Sequence, residues 1–159
     1  MIVPFDRLSE EARVWIYPAN RKFSTHEVSA IEKNLSRFLE EWTTHGQSLQ
    51  AGFQLPYNRF IVIGLEQSTQ ASGCSIDSQV RMIQALEQQL DIRLLDRMNV
   101  TFRQGEFLAH KPLTEFKALV KSRSVGPKTI VFNNLVQNVA ELRSAWEVPA
   151  EDSWHVRFF

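Results

Sequence analysis

The only cysteine of the chain, Cys74, stands in the stretch Ala71-Ser72-Gly73-Cys74-Ser75-Ile76-Asp77. The most apolar short run, Phe60-Ile61-Val62-Ile63-Gly64-Leu65, comes before it, and a stretch of helical periodicity comes after. This arrangement predicts a strand handing over to a helix through a small polar loop. The first turn of a helix leaves backbone N–H groups without intrahelical partners, so they can face an anion or polar ligand. Ser72, Gly73, Ser75 and Asp77 are the candidate ligand-binding residues of the loop. Plain capping explains the same residues. Ser75 would cap the helix, Gly73 would supply a positive φ, and Asp77 would place negative charge where the dipole favours it.

Cys74 is the candidate nucleophile. A thiolate at a helix N-terminus meets the positive end of the dipole and free N–H groups. It still needs a base, normally a histidine brought close by the fold. His26, His45, His110 and His155 are available, and spacing does not select among them. The alternative is a small buried cysteine filling the strand–helix corner, since free cysteine is among the most buried residue types.

Three further features have chemical content. Gly126-Pro127-Lys128-Thr129 imitates part of a phosphate loop. Proline replaces the glycine that must precede the lysine, and a strand-like Ile130-Val131-Phe132 comes next where a helix is required. Lys117, Lys121, Arg123 and Lys128 make a mild basic cluster, best explained as a solvated helix end. The tail Ser153-Trp154-His155-Val156-Arg157-Phe158-Phe159 carries three aromatics, too much apolar surface for a frayed end. It is expected to dock on its own domain or on a second subunit, and in the latter case to build a homo-oligomer. His155 and Arg157 would then be further ligand-binding candidates.

Composition bounds these readings. With 159 residues and 43% hydrophobic content, the chain suits one domain over 1–159 with a real core. Basic and acidic residues balance at 18 each, which argues against nucleic acid as a partner. A single cysteine excludes an internal disulfide and a cysteine zinc cluster, so no metal or cofactor is expected. A lone thiol suits a reducing compartment, so the cytoplasm is the expected location. The N-terminus does not read as a secretory signal, and no apolar run is long enough to span a bilayer.

The positioning elements emerge from periodicity. Residues 11–17 predict a first strand. Ser24-x-x-Glu27 is a capping box opening a helix whose face carries Val28, Ile31, Leu35, Phe38, Leu39 and Trp42, with Gly46 ending it. Strands are predicted over 49–55 and 59–65, then a loop over 66–75. The second helix carries Ile76, Val80, Ile83, Leu86 and Leu90. A hairpin of 98–103 and 106–110 comes next, then a helix with Leu113, Phe116, Leu119 and Val120. A short strand, 129–132, precedes a last helix capped by Asn133 or Asn134, carrying Leu135, Val139, Leu142 and Trp146 and stopped by Pro149. Through residue 104 the order is strand, helix, strand, strand, helix, strand. This is the ferredoxin-like split βαβ order of an α+β fold, here with a C-terminal extension of a strand pair and two helices.

Several stretches together carry a resemblance: Arg13-Val14-Trp15-Ile16-Tyr17, Tyr57-Asn58-Arg59-Phe60-Ile61-Val62-Ile63, 71–77, Leu95-Asp96-Arg97-Met98-Asn99-Val100, Val131-Phe132-Asn133-Asn134-Leu135 and the tail. Over nearly its full length the chain resembles a family of small uncharacterised bacterial proteins of the Bacteroidetes group, often labelled "ABC transporter ATPase". That label implies nucleotide hydrolysis, whereas the chain has neither a Walker A loop nor a transporter signature. The sequence therefore favours a non-catalytic cytoplasmic binding or regulatory domain with a polar pocket at 72–77. A small thiol-dependent enzyme using Cys74 and a histidine is the alternative.

Overall fold

Ser24 and Glu27 form the reciprocal capping box that their spacing predicts. The Ser24 Oγ accepts from the Glu27 N–H at 3.1 Å, and the Glu27 carboxylate accepts from the Ser24 N–H at 2.8 Å. The structure is a computed structural model and describes residues 1–68 and 70–159. Thr69, inside the predicted loop 66–75, lies outside the described residues. The fold is α+β, with four α-helices and antiparallel sheets among the described residues. The chain divides into two units, one of Met1–Leu95 with Gln137–Ala140 and one of Asp96–Val136 with Glu141–Phe159.

The first unit contains β1 (Arg13–Pro18), α1 (Thr25–Glu41), the short β2 (Thr43–Thr44) and β3 (Gln47–Ser48), β4 (Ala51–Gln54), β5 (Phe60–Leu65) and α2 (Gly73–Leu90). Sheet order is β1-β5-β4, with β5 antiparallel to both neighbours. β1 and β4 flank β5 and so run parallel to each other, with α1 lying between them in the chain. All six residues of β5 are buried, as a central strand covered on both faces requires. Ile61, Ile63 and Leu65 share one core with Ile31, Leu35 and Leu39 of α1 and Ile83 and Leu86 of α2.

Both outer edges of this sheet are occupied. Ile2 bridges Ala51 on the β4 side, where the Val3 N–H reaches the Ala51 carbonyl at 2.8 Å. On the β1 side Asn138 bridges Arg13, and the Val14 N–H reaches the Gln137 carbonyl at 2.9 Å.

The ferredoxin-like four-stranded sheet expected from the element order is a point of correction. Its fourth strand, β6 (Asn99–Gln104), pairs instead with β7 (Phe107–Pro112) and β8 (Ile130–Phe132). Segment 137–139 takes the place beside β1. The end of α1 is also corrected. The helix stops at Glu41, and Gly46 sits with His45 in the β2–β3 turn at φ 78° and 49°. Two positive φ values mark the two-residue hairpin turn that favours glycine.

In the second unit the sheet order is β7-β6-β8-β9, where β9 is Glu147–Pro149. The predicted hairpin, the strand before residue 133 and a helix α3 (Leu113–Lys121) are present. Phe116 of α3 meets Phe102 edge-on at 5.3 Å, in a cluster with Val100, Val125, Val131 and Ala150. The last helix starts later than expected, as α4 (Val139–Ala145), because the Asn133 side chain turns the chain by accepting from the Leu135 N–H at 3.1 Å. Leu135, predicted to be buried, is exposed. Pro149 ends β9 rather than a helix.

Candidate functional site

Helix α2 begins one turn before the predicted start. Its N-cap is Ser72, whose Oγ accepts from the Ser75 N–H at 3.1 Å. Ser75 is not the cap. It is buried inside the first turn, and its hydroxyl donates back to the Ser72 carbonyl at 2.8 Å. Gly73 lies within the helix without a positive φ, so the conformational role expected for it is absent. Both serine side chains are thus tied up in capping. The Ile76 N–H is also satisfied, by the Ser72 carbonyl at 3.0 Å. Among the described residues, the N–H groups of Gly73 and Cys74 have no partner.

Cys74 is exposed, so it is not the buried corner-filler that its residue type favours. Gly73 and Asp77 are exposed as well, and a Cβ at Gly73 would meet open space. Gly73, Cys74 and Asp77 therefore share one exposed stretch of the first turns, backed by an aromatic wall. The Trp42 indole donates to the Ser75 carbonyl at 2.8 Å, Phe38 packs on Trp42 at 5.6 Å, and Trp15 meets it edge-on at 6.0 Å. The Cys74 thiol has no hydrogen-bond partner among the described residues. His26 and His45 of the same unit are both exposed.

The buried stripe of α2 is Ser75, Gln79, Ile83 and Leu86; Ile83 and Leu86 are as predicted, and Ser75 and Gln79 take the places expected for Ile76 and Val80. Sequence reasoning misses Gln79, which is fully buried and whose carbonyl oxygen accepts from the Tyr17 hydroxyl. Its amide nitrogen has no partner among the described residues. The available signal is the spacing 75, 79, 83 and 86, hidden because its first two members are polar.

His155 and Arg157 belong to the second unit. His155 is 1% exposed, its Nδ1 lies 2.7 Å from the Ser153 Oγ, and its ring stacks on Trp154 at 3.9 Å. Burial pushes its pKa down to about 4, so the imidazole is neutral at pH 7. Arg157 is exposed, with its guanidinium 5.9 Å from the Trp154 ring. His110 shares a 2.8 Å hydrogen bond with the Thr101 hydroxyl.

The turn Gly126-Pro127-Lys128-Thr129 closes on itself. The Thr129 hydroxyl accepts from the Gly126 N–H at 3.0 Å, and Lys128 pairs with Glu151 at 2.6 Å. Strand β8 comes directly after it. Among the described residues no His, Cys, Asp and Glu cluster has the grouping a metal ion needs, and no helix is long and apolar enough to cross a membrane. No protein-family model, no curated protein and no solved structure matches the chain.

Proposed function

We propose that this chain is a non-catalytic binding or regulatory domain of the cytoplasm, with its contact site at the exposed start of α2. The observation that carries the reading is a pair of donors, the Gly73 and Cys74 N–H groups, that have no partner among the described residues and lie at the exposed end of an 18-residue helix. A carboxylate, phosphate or carbonyl oxygen on a ligand or partner suits such donors. Trp42 fixes the turn from behind, so the donors are held in place before anything binds.

The experiment is an amide NMR titration with inorganic phosphate and with acetate. Saturable shifts confined to 73–77 support the reading. A titration that leaves those amides unmoved while others shift overturns it.

One observation favours a second reading, in which Cys74 acts as a nucleophile: the thiol is exposed at that same turn. Alkylation rate against pH separates the two. A rate already at its plateau at neutral pH promotes the thiol enzyme, and a rate that rises only in the alkaline range supports the binding domain. Trp154 and Phe158 are engaged within their own unit, so Val156 and Phe159 are the exposed apolar residues through which the tail would associate copies.

A further inference from the structure

The C-terminal segment is a 3₁₀ helix, Trp154–Phe158, joined at its ends by the Val156 N–H to the Ser153 carbonyl and the Phe159 N–H to the Val156 carbonyl, both at 3.1 Å. Rings pack it against α3. Phe158 meets Phe116 edge-on at 6.1 Å and Trp154 at 5.7 Å. His155 meets Phe116 at 6.0 Å and is sealed from solvent, with the Ser153 hydroxyl as its hydrogen-bond partner. We propose that this segment is an acid-opened latch, held on α3 by the neutral imidazole of His155.

The charges around the ring leave a proton there uncompensated. From α3, Lys117 sits 5.4 Å over Phe158, and from the segment itself Arg157 sits over Trp154. Of the carboxylates just before the segment, Glu151 is paired with Lys128, and Asp152 is exposed. Among the described residues no ion pair reaches His155. A docked His155 resists protonation down to about pH 4, while a released one takes its proton at the ordinary value near 6.5. Acid therefore favours release. Below 6.5 the released-to-docked ratio climbs by up to about tenfold per pH unit, to roughly 150-fold by pH 4.

The test follows the Trp154 indole N–H, the His155 ring and the 153–159 amides by NMR from pH 8 to pH 4, with Phe102 and Val131 amides as reporters of the sheet. The expected result is loss of the docked tail signals below pH 6.5 while the sheet reporters persist. In His155→Phe, or in His155→Gln if the first variant does not fold, the tail should stay docked to pH 4. The proposal is overturned if the wild-type tail stays docked to pH 4. It is also overturned if the sheet melts in the same transition, or if both uncharged variants that fold release at the wild-type pH.

Discussion

Gly52 and Gly64 lie directly opposite each other across β4 and β5, and the chain from Val3 to Leu8 packs on the space their missing side chains leave. A Cβ at Gly52 would stand 2.5 Å from the Val3 carbonyl oxygen and 3.1 Å from the Phe5 backbone. Backbone cannot swing aside as a long side chain can. Gly52→Ala should therefore destabilise the protein by about 1–3 kcal/mol, the usual cost of overpacking. At this chain length that is a fall of roughly 2–4 °C in Tm per kcal/mol. Gly73→Ala is the control. Its Cβ meets open space on a helix, so Tm should hold or rise slightly.

Arg21 ties the start of α1 to the end of α2. Its guanidinium pairs with Glu27 at 2.7 Å and donates to the Leu90 carbonyl, at the C-terminus of α2, at 3.0 Å. The guanidinium, with the Ser24 N–H, holds the Glu27 carboxyl down at about 2. A lowered carboxyl pKa gives stability that is fully present above the ordinary value of about 4.5 and is lost as pH falls towards 2. In Arg21→Ala a carboxyl ¹³C titration should find Glu27 titrating higher. The loss of stability between pH 4.5 and 2 should be shallower than in the wild type.

Ser72→Ala removes the acceptor for the Ser75 N–H, and the expected cost is about 1 kcal/mol by chemical denaturation. Ser75→Ala leaves that N–H and its acceptor intact and should cost less. Equal losses in the two variants would mean that the cap is not where the structure puts it.

Phe116 is fully buried and collects Phe102, His155 and Phe158 around its ring. Phe116→Ala should cost about 3–5 kcal/mol, in the range for deleting a core aromatic. Removing residues 153–159 strips two of those three contacts and should lower Tm by less than Phe116→Ala does. A truncated protein with unchanged Tm would show that the tail does not dock.

What is legible in the sequence is local. The capping box of α1, the buried run of β5 and the β6–β7 hairpin depend on residues a few positions apart, and those elements stand where periodicity puts them. Pairing between distant segments is different. Nothing near Asn99 records that β6 also joins β8, because that choice depends on a partner far along the chain. The helix around Cys74 is readable, but Ser72 and Ser75 offer the same capping chemistry three residues apart, and only the backbone decides between them. Gln79 shows the converse limit. A polar residue on a core-facing stripe breaks the apolar pattern that reveals the stripe, so periodicity points to Ile76 and Val80 instead.

The bridge from Asn138 to Arg13 also bears on the order in which a ribosome delivers the chain. By the time Leu95 emerges, β1, β4 and β5 are all available, yet the strip that covers β1 begins only at Gln137. During that interval the nascent sheet offers an unprotected border, the kind of surface on which neighbouring polypeptides add. Premature termination anywhere before Gln137 would make that temporary exposure permanent.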